Sequence, residues 1–548
     1  MTIVVVALRS KKSDNQAQHL NINNRNSCTL PIVNFLKKNT AMKFHLCLLL
    51  AFAYSAGAFA QQPDAFAAGL LLEDDTYDAQ PRQAPEDGSK AELPAAVDLT
   101  PYCPEIRHQG FIFSCVGWAT GYGALSIQRA ILNNCTDKQV ITRNAHSALF
   151  LYNQIKPEDC DKGSRISDAL SFLNTKGDCL ARQFDFDVND CAKKPDSTVN
   201  EQAKRYSIED YLTLFDSKEK EAEKVRRVKV ALAKNKPVVI GMLVLRNFYE
   251  LKNAQYWHPS LGNTAPAGGH ALVVVGYDDH KGAFRLMNSW GKNWGDGGYI
   301  WIKYKDFGDF CKYAYILYLF APEKLTEPAT ENPGLESKPL IVATKAPIPA
   351  EKPLLELAGN FQFRHLTGWM EQSGQPIFET AEATLSGNVY RLKKQDWSIG
   401  QLFQLLAATA RDDEYLYVFS IDARQEVHFH WPRQAGLNEK FQGINESGLM
   451  LNGGEVAIPS ATKALKIANA GTDRLVMLFS KRKIDTVQKL AETLRRKEGD
   501  FAQNLLATLG KYAVPQADIT YRSDQIGFSA ATRSEGFIVP LVLEVEAR

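Results

Sequence analysis

Four residues of types that can act together in nucleophilic catalysis occur in the order Gln109, Cys115, His270 and Asn288. A thiol becomes a strong nucleophile when a histidine accepts its proton, and an amide oxygen can hold the imidazole in one orientation. The side-chain amide of Gln109 can donate to a developing oxyanion together with the backbone N–H group of Cys115. The ordered set therefore predicts acyl-transfer chemistry at a carbonyl carbon.

A helix is predicted to position Cys115. Ser114 can cap this helix, and the following sequence continues it to about Leu132. Cys115 then falls in the first turn, where the helix dipole and unpaired N–H groups favour a thiolate over a thiol. A lone cysteine is more often a small buried residue or half of a disulfide. The accompanying glutamine, histidine and asparagine reverse that preference here.

Two neighbouring strands are predicted to bring the histidine and the asparagine together. His270 follows two glycines and begins the apolar run 271–275, which is typical of a buried strand. A turn about residue 280 leads to a returning strand that ends at Asn288. This hairpin places Asn288 close to His270, and Trp290 can cover their contact. Residues 299–302 are predicted to form a further strand.

These motifs resemble those of the papain family of cysteine peptidases, in a bacterial exported form. The resemblance covers about residues 93–320 and keeps the family's six-residue separation between glutamine and cysteine. Ile112 and Val116 depart from it, because the family usually has a cysteine and an aromatic residue at these positions. The matching segments are Leu93-Pro94 with Val97-Asp98, Gln109-Gly110 with Ser114-Cys115, Gly268-Gly269-His270-Ala271 and Asn288-Ser289-Trp290-Gly291.

The resemblance implies an α+β fold of two lobes, one helical and one β-barrel-like, with the site between them. It implies thiolate attack on a peptide carbonyl, an acyl-enzyme intermediate and hydrolysis by water, without a cofactor or a metal. The expected partner is a peptide or protein substrate. The residues expected to line its binding cleft are Gly163, Ser164, Gly269 and Trp290.

Two other functions use the same residues. One is a catalytically inactive papain-like scaffold that only binds, although the presence of all four site residues counts against it. The other is a Cys-His amidase or a transglutaminase-like acyl transferase. Such enzymes more often use an aspartate as the third residue, and the Asn288-Ser289-Trp290 motif points away from them.

The N-terminal sequence predicts export. Met42-Lys43 precedes the apolar run 46–53 and an Ala58-Phe59-Ala60 cleavage motif, the pattern of a secretory signal peptide over 42–60. Residues 1–41 are then interpreted as an upstream extension from a mis-assigned start. The run is too short to span a bilayer, so no transmembrane segment is expected and the protein is placed in the periplasm or outside the cell. A net charge of +2 gives no indication of nucleic-acid binding.

Cysteine usage agrees with export. Once Cys28 and Cys47 are removed with the signal region and Cys115 is set aside as the nucleophile, six cysteines remain. An even number in an exported protein predicts up to three disulfides in the first domain, with 15 possible pairings. These cysteines are Cys103, Cys135, Cys160, Cys179, Cys191 and Cys311.

Composition divides the rest of the chain. Residues 61–92, called the leader here, are rich in Ala, Asp, Glu, Gln and Pro and are predicted to lie extended over the first domain (93–320) or to be disordered. Residues 321–353 contain seven prolines and predict a semi-rigid linker. Residues 354–548 form a predicted β-rich α+β accessory domain. Its strands at 415–422 and 426–431 resemble a module of unknown function attached to bacterial exported enzymes, and we expect it to bind a protein partner or an envelope surface.

Overall fold

The computed structural model describes most of both domains and part of the leader. The predicted signal peptide, the Pro-rich linker and Cys191 lie outside the described residues. Of the predicted upstream extension, only the short strand β1 (Val6–Ala7) is described. The described residues are 6–7, 67–83, 92–157, 159–184, 192–319, 354–370, 376–394, 396–410, 413–450, 454–461 and 463–548.

The helices comprise one in the leader, those of the helical lobe of the first domain, and three more that contact the sheet of the other lobe. They are α1 (Asp74–Asp78), α2 (Cys115–Gly117), α3 (Ser126–Leu132), α4 (Lys138–Arg143), α5 (Ala148–Ile155), α6 (Ile166–Thr175), α7 (Ser197–Lys204), α8 (Glu221–Ala233), α9 (Arg246–Tyr249) and α10 (Tyr304–Phe310). A π-helical stretch, Trp118–Leu125, joins α2 to α3, so the helical segment ends at the predicted Leu132.

The other lobe is built on an antiparallel sheet with the order β3-β8-β4-β5-β6-β7, and β2 pairs with β5. Its strands are β2 (Ala96–Asp98), β3 (Ile208–Thr213), β4 (Val238–Leu245), β5 (Pro266–Asp278), β6 (Ala283–Met287), β7 (Tyr299–Lys303) and β8 (Cys311–Leu319). The predicted hairpin is confirmed, because β5 and β6 pair from Asp278 with Ala283 to Val273 with Met287.

The buried helical segment from α2 to α3 packs closely against both lobes. A Cβ atom on Gly117 would lie 2.3 Å from the Ala148 carbonyl oxygen, and one on Gly123 would lie 2.7 Å from the side chain of Val273. Glycine normally destabilises a helix by about 1 kcal/mol relative to alanine. Here the missing side chains allow the segment that carries Cys115 to approach both α5 and β5.

The accessory domain consists of two packed sheets and a pair of helices. One sheet has the order β1-β18-β13-β9-β21-β20, and the other has the order β11-β12-β22-β19-β14-β15. Gly499, with a φ of +98°, separates the two helices. The elements are β9 (Leu355–Trp369), β10 (Pro376–Thr380), β11 (Ala383–Ser386), β12 (Val389–Leu392), β13 (Leu402–Thr409), β14 (Glu414–Ile421), β15 (Val427–Trp431), β16 (Leu449–Met450), β17 (Glu455–Ile458), β18 (Lys463–Lys466), β19 (Gly471–Ser480), α11 (Val487–Leu494), α12 (Phe501–Leu509), β20 (Ile519–Tyr521), β21 (Gly527–Thr532) and β22 (Ile538–Ala547).

The two domains share buried surface. One apolar cluster extends from the first domain to Tyr415 and Tyr417 of the accessory domain. The Tyr415 hydroxyl donates to the Asp210 carboxylate at 3.1 Å, and Lys236 pairs with Asp413 at 2.9 Å. The accessory domain is therefore packed against β3 and the start of β4.

The cysteines differ from the predicted disulfide framework. Cys103, Cys135, Cys179 and Cys311 are free thiols, whereas Cys160 is disulfide-bonded. Of the up to three disulfides expected among the six cysteines, these four free thiols leave room for one, which includes Cys160. Burial accounts for three of the free thiols, since Cys103, Cys179 and Cys311 pack as small apolar side chains in the core. None of the described helices has the length and apolar composition needed to span a bilayer.

Candidate active site

Cys115 lies at the start of α2 and is fully buried. Ser114 occupies the N-cap position, but its hydroxyl makes no capping hydrogen bond, so the predicted cap is wrong. The Ser114 carbonyl oxygen instead accepts the Trp118 N–H group at 3.2 Å. The backbone N–H group of Ala271, the residue after His270, lies beside the sulfur of Cys115 and favours its ionised form. The nucleophile and the histidine strand are therefore adjacent.

His270 and Asn288 meet as the hairpin predicts. Nε2 of His270 lies 2.8 Å from Oδ1 of Asn288, and this oxygen also accepts the Ser289 N–H group at 2.8 Å. Because an amide oxygen only accepts, Nε2 carries the proton and Nδ1 has the free lone pair. Nδ1 is buried without a hydrogen bond to any described residue, which leaves it available to take a proton.

Aromatic rings exclude water from this pair. The Trp290 indole stacks on the His270 imidazole, with ring centroids 4.4 Å apart and an interplanar angle of 27°. Trp294 packs edge-on against Trp290, and Phe248 contacts all three rings. The predicted cover over the Asn288–His270 contact is confirmed.

Gln109 is buried, and Ser289 binds both its side chain and its backbone. Its Oε1 atom accepts the Ser289 hydroxyl at 2.6 Å, and its backbone N–H group donates to the Ser289 carbonyl oxygen at 2.8 Å. These contacts direct Nε2 toward the cleft and the carbonyl oxygen of Ile112, which it reaches at 2.9 Å. Sequence reasoning missed the role of Ser289, although it lies between Asn288 and Trp290 in the recognised motif.

The leader occupies the cleft above these residues. The Ala67 carbonyl oxygen accepts from Nε2 of Gln109 at 3.1 Å and from Nε1 of Trp290 at 3.3 Å. Two residues further on, the Gly69 N–H group donates to the sulfur of Cys115 at 3.3 Å. The sulfur therefore faces an amide proton of the leader.

Backbone hydrogen bonds hold the next leader residues on both walls of the cleft. Leu70 N–H donates to the Gly269 carbonyl oxygen at 3.0 Å, Ser164 N–H donates to the Gly69 carbonyl oxygen at 2.9 Å, and Leu71 N–H donates to the Ser164 carbonyl oxygen at 3.0 Å. A Cβ atom on Gly163 would lie 2.1 Å from the Gly69 carbonyl oxygen. All four residues expected to bind substrate thus lie against the leader, and their roles toward a substrate stay a prediction.

One leader side chain fills an apolar pocket beside the sulfur. Leu70 is only 6% exposed, and its side chain lies against Ile166, Gly241 and Tyr313. Gly241 and Tyr313 carried no sequence signal for a site, because they come from β4 and β8 and meet only in the folded sheet.

Glu73 anchors the leader at the edge of the cleft. Its carboxylate accepts from both the N–H group and the hydroxyl of Ser167 in the first turn of α6, and from the Tyr315 hydroxyl at 3.3 Å. Burial raises the pKa of Glu73 even though these donors lower it. The leader therefore inserts a buried carboxylate as well as an apolar side chain into the first domain.

The covered site is uncharged. Burial raises the pKa of the Cys115 thiol to about 11, and the N–H groups of Ala271 and Gly69 offset this only in part. Burial also lowers the pKa of His270 to about 4, against the opposing effect of Asn288. The prediction that the helix N-terminus favours a thiolate is wrong for this covered state, because desolvation outweighs the nearby N–H dipoles.

Known proteins are similar to parts of this chain. Residues 94–316 match the family model described as papain family cysteine protease. An uncharacterised peptidase C1-like protein of Acanthamoeba polyphaga mimivirus is 28% identical over 170 residues, which cover 30% of this chain and 55% of that protein. The cathepsin B-like cysteine proteinase 3 of Ostertagia ostertagi is 34% identical over 77 residues, covering 14% of this chain and 42% of that protein.

The solved structure of xylellain, a cysteine protease from Xylella fastidiosa, aligns at 24% identity with a TM-score of 0.39, covering 47% of this chain and 97% of that one. The chain spans about half the length, or less, of these two curated relatives. Residues 94–316 therefore form a domain that matches the papain family of cysteine proteases.

Proposed function

We propose that this protein is an exported cysteine peptidase that hydrolyses peptide bonds through Cys115. The observation that carries the proposal is the cleft itself, which holds an extended peptide by backbone hydrogen bonds directly over the sulfur. A cleft that binds main-chain groups on both walls suits polypeptides of varied sequence. The nearby apolar pocket filled by Leu70 adds a preference for an apolar side chain.

The reaction follows from the placement of the proton acceptor and the amide donors. Nδ1 of His270 takes the thiol proton as the sulfur of Cys115 attacks the carbonyl carbon, and Nε2 of Gln109 donates to the oxyanion together with the Cys115 N–H group. The imidazolium then protonates the departing amine, and an acyl-enzyme remains. Water, activated by the same imidazole, hydrolyses the thioester and restores the thiol.

The leader makes the intact chain latent in this proposal. An N–H group rather than a carbonyl carbon of the leader faces the sulfur, so the leader is not positioned for attack. The Ala67 carbonyl oxygen of the leader also accepts a hydrogen bond from Nε2 of Gln109, and the leader excludes water from the Cys115–His270 pair. Activity then requires that the leader be displaced.

The test is peptide turnover before and after leader release. The full-length chain would carry a recognition sequence for a specific protease within residues 84–91, and its cleavage would be followed by a chase that separates the leader. Hydrolysis of a mixed fluorogenic peptide library is expected only after release, and Cys115→Ala is expected to abolish it. Cys135→Ala, which changes a free cysteine outside the cleft, is the matched control. If the released protein neither cleaved peptide nor reacted with a thiol-directed epoxide at Cys115, the binding-scaffold function would replace this one.

Export is proposed on the segment 42–60 alone, and it places the peptidase in the periplasm or outside the cell. N-terminal sequencing of the protein from a fractionated native host is expected to give Gln61 as the first residue. Cytoplasmic protein that retains residues 42–60 would contradict the proposal. Binding of a partner or envelope surface by the accessory domain also stays a prediction, and loss of localisation on mutating its exposed surface would support it.

A further inference from the structure

The leader leaves the cleft and runs to the boundary between the two domains. After α1, residues 81–83 lie between the C-terminal end of β3 and residues 445–447 of the accessory domain, called the clamp segment here. We infer that the accessory domain is a docking surface for the leader and that the clamp segment holds the leader in the cleft. This inference rests on the proposed function, since it assigns the control of that same site.

Arg82 binds the clamp segment through both of its backbone groups. Its N–H group donates to the Asn445 carbonyl oxygen at 2.7 Å, and its carbonyl oxygen accepts the Ser447 N–H group at 2.8 Å. The side chain of Asn445 adds a third bond, from Nδ2 to the Ala79 carbonyl oxygen at 2.6 Å. Arg82 therefore pairs with the accessory domain as a strand residue pairs with its neighbour.

The residues on either side of Arg82 bind the first domain instead. The Gln83 N–H group donates to the Thr213 carbonyl oxygen at 2.9 Å, and the Thr213 N–H group donates to the Pro81 carbonyl oxygen at 3.0 Å. The leader is thus inserted between the two domains and hydrogen-bonded on both sides. Each domain contributes separately to its retention.

The clamp segment is held rigidly by its own domain. Arg433 and Glu446 form a bidentate ion pair in which both residues are at most 8% exposed, and Nη1 of Arg433 reaches the Pro459 carbonyl oxygen at 2.9 Å. The side chain of Gln434 donates to the Glu446 carbonyl oxygen at 2.6 Å. Because its backbone is fixed in this way, the clamp segment presents Asn445 and Ser447 in a ready geometry.

The position of the clamp segment does not depend on the leader. The contacts of Asp210 with Tyr415 and of Lys236 with Asp413 join the domains directly. Release of residues 79–82 from the clamp segment therefore costs hydrogen bonds to the leader while the domain interface stays closed. A ligand or partner that competes for the clamp segment would lower the retention of the leader.

The experiment measures how fast the leader leaves the nicked, otherwise complete protein. Chains with the cleavable sequence in 84–91 would be cut after folding, and dissociation of a fluorescently labelled leader fragment would be followed together with epoxide labelling of Cys115. Arg82→Pro removes the N–H group that Asn445 accepts, and Asn445→Ala removes the bond to Ala79. Arg82→Ala keeps the backbone N–H group and loses the side-chain contact with Asp216, so it is the matched control.

Dissociation is expected to be at least tenfold faster than the control in Arg82→Pro and about fivefold faster in Asn445→Ala. Asn445→Ala changes a surface side chain, so it tests the inference even if Arg82→Pro fails to fold. Acceleration in either variant supports the inference, and rates within twofold of the control in every folded variant overturn it. A leader that dissociates without any peptide turnover would refute the proposed function alone, because dissociation is measured without a substrate.

Discussion

Cys115 and His270 are both uncharged while the leader lies over them. Burial raises the pKa of the thiol to about 11 and lowers the pKa of the imidazole to about 4, so neither ionises at neutral pH. When the leader leaves, water returns to the cleft, and the N–H dipoles at the start of α2 can then favour the thiolate. The same two residues thus give a latent or an active pair according to what covers them.

The pH dependence of thiol alkylation checks this account. At pH 7 a thiol of pKa about 11 is ionised to about one part in ten thousand, roughly 100-fold less than an ordinary cysteine. Iodoacetamide is therefore expected to modify Cys115 of the intact chain slowly, with a rate that increases about tenfold per pH unit up to pH 10. After leader release the rate at pH 7 is expected to increase by about 100-fold. A Cys135→Ser background removes the half-buried free thiol, and a profile of the intact chain that levels off near pH 7 would contradict the account.

Gln109 and Ser289 provide a second test among single residues. Gln109→Ala is expected to lower kcat about 100-fold to 1000-fold in leader-released protein, because it removes an oxyanion donor. Ser289→Ala removes only the hydroxyl that holds Oε1 of Gln109, so a loss of about tenfold is expected. If Ser289 acts through Gln109, the double variant is no slower than Gln109→Ala. A double variant whose loss in kcat is the product of the two single losses would show that the two residues act separately.

Among the structural elements, the leader packs very closely against the cleft at Gly69. A Cβ atom on Gly69 would lie 2.2 Å from the Phe113 carbonyl oxygen and 2.6 Å from the Phe113 Cβ atom. Backbone atoms cannot shift enough to relieve such contacts, so only glycine allows the leader to pack this closely against Phe113. This close packing places the Gly69 N–H group on the sulfur of Cys115.

Gly69→Ala is therefore expected to lift the leader and speed epoxide labelling of Cys115 at least tenfold in the uncut chain. The substitution lies outside the first domain, so kcat after leader release is expected to match that of the unaltered protein. Ala68→Ser, at a half-buried neighbouring position, is the control and is expected to leave labelling within twofold. Unchanged labelling in Gly69→Ala would show that the leader does not limit access to the sulfur of Cys115.

At the scale of the whole molecule, charged groups gather where the domains meet. Glu209 lies beside Asp210 and Asp413, with Lys481 and Arg482 of the accessory domain nearby. Burial is the largest cause that raises the pKa of Glu209 to about 7. Since this value exceeds that of the unfolded chain, the contribution of Glu209 to stability is fully present below about pH 4.5 and is lost as the pH rises through 7.

Glu209→Gln is expected to abolish this loss. Between pH 5 and pH 8 the free energy of unfolding of the unaltered protein should fall by about 1 to 3 kcal/mol more than that of the variant. Urea unfolding at both pH values measures the difference. Glu379→Gln, at an exposed position on β10, is the control. If Glu209→Gln kept the full pH dependence of the unfolding free energy, other groups would be its cause.

The sequence alone determined the elements that carry the chemistry. The helix that begins at Cys115, the hairpin that joins His270 to Asn288 and the strands of the accessory domain follow from local patterns of apolar residues, glycines and turns, and the structure confirms them. Such patterns are local, so a single chain is enough to read them.

Only the tertiary structure decided what covers the site. The leader shows no periodic pattern, and its fit depends on Leu70 meeting Gly241 and Tyr313, and on Gly69 meeting Phe113. The contact between Arg82 and Asn445 joins residues that are far apart in the chain. The ionisation of Cys115 in the covered state also depends on the tertiary structure, because desolvation depends on every atom around the sulfur, whereas a helix N-terminus can be recognised from a few neighbouring residues.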